Sequence, residues 1–285
     1  DGIDDRGFMN ESATLRNSDN FTVSTWAWLE SRTTSNDNIN PIVNKQIDFE
    51  DRNFWLVHWQ EHWYVRATDG GSTVEVQSDS KSSTKQWVHL AVVADDGTLK
   101  LYIDGVQQAA TASYGSLDTQ ANNLRMGHGY DDPRHLDGKV DDVRMYDKQL
   151  SSGEVQALYE EKTVPTTNLV GHWRLNEGSG DHIADVTGGP HNGTLIGPSW
   201  TTRNRTHGYR VAKPISLEGF INLSSSSISW QAEEPGSSSI TLATAVTSQN
   251  TTVPSTWQTA TNGSSIPGLT AGMNVTDQYL WLRQN

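Results

Sequence analysis

The chain has 285 residues, with 34 Asp plus Glu against 21 Lys plus Arg, a formal net charge of −13 and no cysteine. That length holds one large or two ordinary domains, and the acid excess excludes nucleic acid and anionic membranes as partners, since both need a basic footprint. With no thiol there is no disulfide framework, and no run of 18 apolar residues is present to insert in a membrane as a helix.

Turn residues cut the sequence at short intervals, so the predicted elements are mostly short strands. FTVSTWAWL, from Phe21 to Leu29, alternates residue by residue. It predicts a strand with Phe21, Val23, Thr25 and Ala27 on one face and Ser24, Trp26 and Trp28 on the other. PIVNKQI, NFWLVHW, HWYVRAT and STVEVQS read as further strands, and WVHLAVVADDGTLKLYIDGV as a hairpin turning at Asp95-Asp96-Gly97. NNLRMGH and KVDDVRMYD close the series. In the latter a strict period of two puts Asp141 with Val143 and Met145, opposite Val140, Asp142 and Arg144. SSGEVQALYEEK predicts one short helix with a serine cap and Glu154 in its first turn. After a linker at 163–167 come LVGHWRLNEGSG and IADVTGGPHNGTL, ending at Trp200. From Tyr209, the segments RVAKPISL, SSISWQAE, SITLATAV, TWQTA and QYLWLRQN are strands between Ser-, Gly- and Pro-rich turns.

The ordered set DGIDD, FTVSTWAWL, WVHLAVVADDGTLKLYIDG and GKVDDVRMYDKQLSSGEVQALYE resembles the laminin-G-like (concanavalin-A-like) jelly roll of secreted proteins, over residues 1–162. Residues 201–285 resemble, more loosely, the small β-sandwich that follows such domains in large surface proteins. The resemblance implies an all-β chain, a laminin-G-like antiparallel jelly-roll sandwich followed by a smaller β-sandwich. It also implies an extracellular or cell-surface location, binding rather than catalysis, and a structural calcium ion (Ca2+) in many members. The family's calcium ligand is the first Asp of the KVDDVRMY strand together with an early loop, which makes Asp141 and Asp185 the metal candidates here. One departure stands out: family members begin with a strand like LVGHWRL, which in this chain comes after the helix. Residues 168–200 are therefore expected to complete the jelly roll, most simply in cis as a circular permutation, or else by passing to a second chain.

His58-Trp59-Gln60-Glu61-His62 spells the H-x-x-E-H of a zinc peptidase, but that chemistry needs both histidines on one helix face. Here the letters fall between two strand-like runs, so Gln60-Glu61 are read as a hairpin turn. A glycosidase needs two carboxylates about 5–10 Å apart across a cleft, and no strand carries the alternating acids of the jelly-roll glucanases, so no enzyme is expected. Aromatic rings stack on sugar faces; Trp26, Trp87 and Trp173 are read as core. Trp55, His58, Trp59, His62, Trp63 and Tyr64, taken as an exposed turn, are the ligand candidates. Asn-x-Ser/Thr acceptors occur at Asn10, Asn20, Asn192, Asn204, Asn222, Asn250, Asn262 and Asn274, and about half of these would arise by chance in so Asn-, Ser- and Thr-rich a chain. The sequence carries no basic-then-apolar leader, and the expectation is a chain exported and already processed.

Two functions follow. The first is a structural or adhesive protein assembling with copies of itself, head to tail, into a filament. In it, DGIDDRGFMNESATL would be donated to a second copy whose last strand, QYLWLRQN, is left at an open edge. The alternative is a calcium-dependent carbohydrate-binding module of a secreted protein. A chain cut from a longer array would explain the unusual ends equally well.

Overall fold

The computed structural model describes residues 5–16, 19–31, 39–46, 52–119, 121–130, 134–161, 165–201, 210–211, 214–218, 223–229, 241–251, 254 and 256–284. The chain divides into two compact units, Asp1–Asn204 and Arg205–Asn285. In chain order the first holds β1 (Arg6–Met9), β2 (Phe21–Leu29), β3 (Asn40–Gln46), β4 (Arg52–Trp59), β5 (His62–Asp69), β6 (Ser72–Gln77) and β7 (Trp87–Asp95). There follow β8 (Thr98–Ile103), β9 (Val106–Ser113), β10 (Leu124–Met126), β11 (Gly138–Tyr146), α1 (Ser152–Tyr159), β12 (Leu169–Trp173), β13 (His182–Ile183) and β14 (Gly193–Ile196).

Two antiparallel sheets face each other, one ordered β13-β14-β1-β10-β3-β4-β5-β6 and the other β12-β11-β2-β7-β8-β9. Tight hairpins build them: Gln60-Glu61, Gly70-Gly71, Asp96-Gly97 and Asp104-Gly105 all have positive φ at both central positions, the backbone whose twist matches a two-residue β-hairpin. Alternation then sorts each strand. Phe21, Val23, Ala27 and Leu29 of β2 enter the core between the sheets, and Phe21 meets Phe54 of β4 at 5.8 Å between ring centroids. Trp26, on the opposite face, lies against His89 and against Tyr159 of α1. The helix covers that outer face with Val155 and Leu158, which join Ala91, Val93, Tyr102 and Tyr146. Its start is fixed by a capping box: Glu154 N–H donates to the Ser151 hydroxyl, and the Glu154 carboxylate accepts from Ser151 N–H.

β11 departs from the two-residue period. Its pairing with β2 shifts register between Asp141 and Arg144, and Asp142 has φ of 52°. One inserted residue lets Val140 pack on the same core as Val143 and Met145. Asp141 instead stands opposite Trp26, so the expectation that it shares a face with Val143 and Met145 is corrected. At the strand's start, a Cβ on Gly138 would lie 2.0 Å from the Trp28 carbonyl oxygen; only glycine lets the two strands close there.

The segment after the helix enters both sheets of its own chain. β12 pairs with β11 (Val143 opposite Trp173), and β14 pairs with β1 (Gly7 opposite Leu195). Trp173 is fully buried and Ile183 joins it in the core. This placement gives the strand-donation reading no support. Residues 6–9 lie between β14 and β10, so donating them to a second copy would tear the donor's own sheet.

In the second unit β15 (Arg210–Val211), β16 (Ile215–Ser216), β17 (Leu242–Thr247), β18 (Gln258–Thr259) and β19 (Tyr279–Gln284) form one antiparallel sheet among the described residues. Leu217, Leu269, Val275 and Leu280 form its apolar cluster. The last strand, β19, pairs with β17 on one side and with β15 and β16 on the other. It is therefore a central strand, and the open edge expected at QYLWLRQN is absent.

Candidate functional site

The HWQEHW turn is a hairpin, with Trp59 paired to His62 and His58 to Trp63 across it. His58 and His62 fall at successive cross-strand pairs, which point to opposite faces of the hairpin, so the two cannot chelate one zinc as they would on a helix. His58 is fully buried, with Trp63 edge-on to it at 5.5 Å and Asn40 Nδ2 3.3 Å from Nδ1. Trp55, Trp63 and Tyr64 are also buried, whereas Trp59 and His62 are half-buried. This corrects the picture of an exposed aromatic tip. The cause is a second packing layer outside the sheet: Trp55, Val57 and Tyr64 cluster with Ile39 and Trp59. The Arg66 guanidinium lies 4.4 Å from the Trp59 ring centroid and 5.7 Å from that of Tyr64, and Arg52 lies over Trp55 at 5.7 Å.

At the β11 bulge, Asp142 is buried with His172 Nε2 2.7 Å from its Oδ1 and Arg144 Nη2 2.9 Å from its Oδ2. The Arg144 guanidinium beside the carboxylate offsets its charge, and the contacts of His172 with Asp142 and Arg144 tie β12 to β11. Asp185 is also buried, and its Oδ1 accepts from the backbone N–H of His172 (3.1 Å) and of Thr187 (3.0 Å). The Thr187 hydroxyl lies 2.8 and 2.9 Å from its two oxygens. Asp185 thus folds its own loop onto β12. Hard oxygen donors of this kind suit calcium, which takes six to eight of them. The described residues contain no group of three or more His, Asp or Glu arranged to hold a metal. Asp141 and Asp185, the two carboxylates expected to hold the ion, lie on separate elements, Asp141 in β11 and Asp185 beyond β13.

A pocket of about 250 Å³ opens at one end of the sandwich, between the sheets. Asp5, Arg6 and Gly7 form one side, Lys139, Val140 and Asp141 the other, and residues 198–201 a third. Met126 and Leu136 of the core, with Val140, Leu175 and Leu195 packed against them, supply its apolar lining. Two indoles border it: Trp87, half-buried and not the core residue expected, and Trp200, whose Nε1 donates to Gly180 O at 2.8 Å. Beside the mouth, Trp28 meets Trp87 edge-on at 6.0 Å and carries Lys139 Nζ 5.0 Å from its ring centroid. The Trp28 Nε1–H donates to Glu30 at 3.1 Å, the first cause holding that carboxyl below its usual range; Lys85 and Lys139 add to it. Of these residues only Asp141 was a candidate from the sequence, and as a metal ligand. The available signal was Trp28 on the polar face of an otherwise core-forming strand.

Of the glycosylation acceptors, Asn10, Asn192, Asn250, Asn262 and Asn274 are exposed. Asn20 is half-buried, its amide exchanging hydrogen bonds with Asp96, at 3.0 Å to the side chain and 2.8 Å from the backbone N–H. Asn204 and Asn222 lie outside the described residues.

A family model described as the concanavalin A-like lectin/glucanases superfamily matches residues 2–156. Among solved structures, the chain is similar to a Bacteroides ovatus protein named for carbohydrate binding, at TM-score 0.53 and 18% identity over 68% of this chain; it spans 57% of that protein's length. Domain 4 of an extracellular arabinanase from Geobacillus stearothermophilus, solved with arabinotriose, aligns at TM-score 0.42 and 24% identity, covering 53% of this chain and 71% of that one. A pentraxin of Limulus polyphemus aligns at TM-score 0.43 and 14% identity, covering 58% and 86%. At 18% identity the likeness to the Bacteroides ovatus protein is one of fold.

Proposed function

The chain belongs to the concanavalin A-like lectin/glucanases superfamily, and from that premise we propose that its first domain is a carbohydrate-binding module of a secreted protein. The observation that carries this is the pocket of about 250 Å³, lined by Trp87 and Trp200 together with Asp5, Asp141, Arg6 and Lys139. Indole faces match the apolar faces of pyranose and furanose rings. Asp5 accepts hydrogen bonds from sugar hydroxyls, and Arg6 and Lys139 donate to them. Pockets of this make-up, apolar walls with a few convergent polar groups, are the usual form of a small-ligand site. The carbohydrate-binding name of the Bacteroides ovatus structure points the same way.

A glycan array read with the unmodified chain and with Trp200→Ala tests the proposal. The unmodified chain should bind at least one glycan class, and Trp200→Ala, with an unchanged melt, should weaken that binding about tenfold or more, equivalent to ~1.4 kcal/mol. Equal binding by both would remove the pocket from the reading. Because two carboxylates line the pocket, any glycan that binds should also be incubated with the chain; release of reducing ends would turn a binding module into a glycosidase.

Calcium enters this proposal as a stabiliser of the same domain, held by Asp141 and Asp185. A ligand that binds only the folded state raises stability by mass action, by about 2.7 kcal/mol at a hundred times its Kd. Chelation should therefore lower the melting temperature of the unmodified chain, and Asp141→Ala should abolish the difference. A melt indifferent to both removes calcium.

A further inference from the structure

We propose that the loop between β10 and β11 is an acid-sensitive catch on the pocket wall: a proton on His128 parts that ring from His135 and frees the Gly127–Leu136 side of the pocket. The inference does not depend on what the pocket holds. Gly127 and Leu136 both line the pocket, and the Leu136 N–H donates to the Gly127 carbonyl at 2.8 Å. The next rung outward is the antiparallel bridge between His128 and His135, whose rings stack at 6.3 Å with an interplanar angle of 23°. Beyond it, the Gly129 N–H donates to the Arg134 carbonyl at 2.9 Å. The Asn44 side-chain amide donates to the His128 carbonyl at 2.6 Å and ties this short ladder to β3. The loop therefore closes through the two imidazoles, and the pocket wall is one rung away.

The surroundings of His128 accept a neutral ring and resist a charged one. Its Nε2 is buried with no hydrogen-bond partner among the described residues. The charged ring, protonated on both nitrogens, carries there a buried N–H that no described residue accepts. Two cations act on the same ring: Arg125 of β10, which donates from Nη1 to the Gln46 carbonyl at 2.7 Å, and Arg6 of β1. His135 faces it from the other limb, Tyr130 and Arg134 belong to the same loop, and the carboxylates on the pocket side are Asp5 and Asp141. Asp131 and Asp132 lie outside the described residues. Burial foremost, then the Arg125 charge, pushes the His128 pKa from 6.5 down to about 4, with His135 and Arg6 adding to the shift and a hydrogen bond to the Gly129 backbone opposing it. The closed loop thus takes its proton at lower pH than an open one. Closure is complete above pH 6.5 and is lost as pH falls toward about 4. A pocket walled in this way holds its contents at neutral pH and lets go in acid.

Amide hydrogen exchange, corrected for its intrinsic pH dependence, tests this on the unmodified chain and on His128→Asn, which keeps a short polar side chain that does not titrate. Between pH 7 and pH 5 the protection of Leu136 and Gly129 should fall about thirtyfold in the unmodified chain, the factor by which a pKa lowered from 6.5 to about 4 favours the open loop at pH 5. The amides of the paired strands β2 and β7 should keep theirs. In His128→Asn the fall at Leu136 should vanish. Equal protection of Leu136 at the two pH values, or a loss that survives in His128→Asn, overturns the proposal. So does an equal loss across β2 and β7, which would be unfolding of the whole domain. Should the variant not fold, the ring signals of His128 in the unmodified chain decide: a titration midpoint more than about one unit below the ordinary histidine value supports the catch, and a midpoint above that overturns it.

Discussion

Trp173→Ala will lower the melting temperature of the first unit by roughly 10 °C, since removing a buried Trp costs about 3–5 kcal/mol and each kcal/mol shifts a unit of this size by about 2–4 °C. The ring is fully buried, lies across Gly171, and donates from Nε1 to the His191 carbonyl at 2.7 Å. His191 in turn is buried, with its ring nitrogens 3.2 Å from the Ser12 hydroxyl and 2.7 Å from that of Thr14. Loss of the indole therefore leaves a cavity, orphans a buried carbonyl and loosens the turn that holds residues 12–14. Total stabilities are only about 5–15 kcal/mol, so the effect is a large share. Limited proteolysis should show new cleavage within residues 174–200 before the rest of the domain is cut. A wild-type melt in the variant would mean that β12 does not complete the sandwich in solution.

Lys45→Met will stabilise the protein at neutral pH and flatten its response to alkali. Lys45 is fully buried in β3, and its ammonium donates to the Leu15 carbonyl at 2.5 Å. Burial pushes its pKa from 10.5 down to about 8, with Glu11 opposing the shift and Arg16 adding to it. The folded state thus releases its proton at lower pH than the unfolded chain. Below about pH 8 both states are charged and the folded one bears the full desolvation cost. Between about 8 and 10.5 only the unfolded state keeps the proton, so stability rises with pH. At 1.36 kcal/mol per pKa unit the span is about 3 kcal/mol, less about 1 kcal/mol for the Leu15 carbonyl left without its donor. Denaturant melts of both proteins at pH 7, 9 and 10.5 check this, the difference cancelling tyrosines and surface lysines. A constant difference across that range would show that the Lys45 ammonium is solvated.

The surface mapping of the strands was legible wherever local rules acted alone. β2 sorts Phe21 and Val23 inward and Trp26 outward as its alternation requires. The Asp96-Gly97 turn falls within the predicted hairpin, and α1 begins at its predicted serine cap. The segments that failed did so for identifiable reasons. Asp141 changed face because a bulge inserts a residue that no periodicity reveals. The aromatic turn was taken as exposed because a hairpin tip usually is, whereas Arg52, Arg66 and Ile39 build a second layer over Trp55 and Tyr64. Lys45, inside the run PIVNKQI, was a legible anomaly: a lysine amid strand-forming apolar residues requires a buried partner or a shifted charge.

By itself the sequence determined the antiparallel all-β class, the hairpin turns and the family, because these depend on residues close together along the chain and on their order. Only the tertiary structure brought the residues of the pocket together. Arg6, Trp87, Lys139 and Trp200 come from β1, β7, β11 and the loop beyond β14. They meet because the two sheets end together there, and residues so far apart in the chain leave no spacing to read. The fate of both ends was decided the same way. An Arg6–Met9 strand and a Tyr279–Gln284 strand look like spare edges in one dimension, and each is interior once its neighbours on both sides are in place.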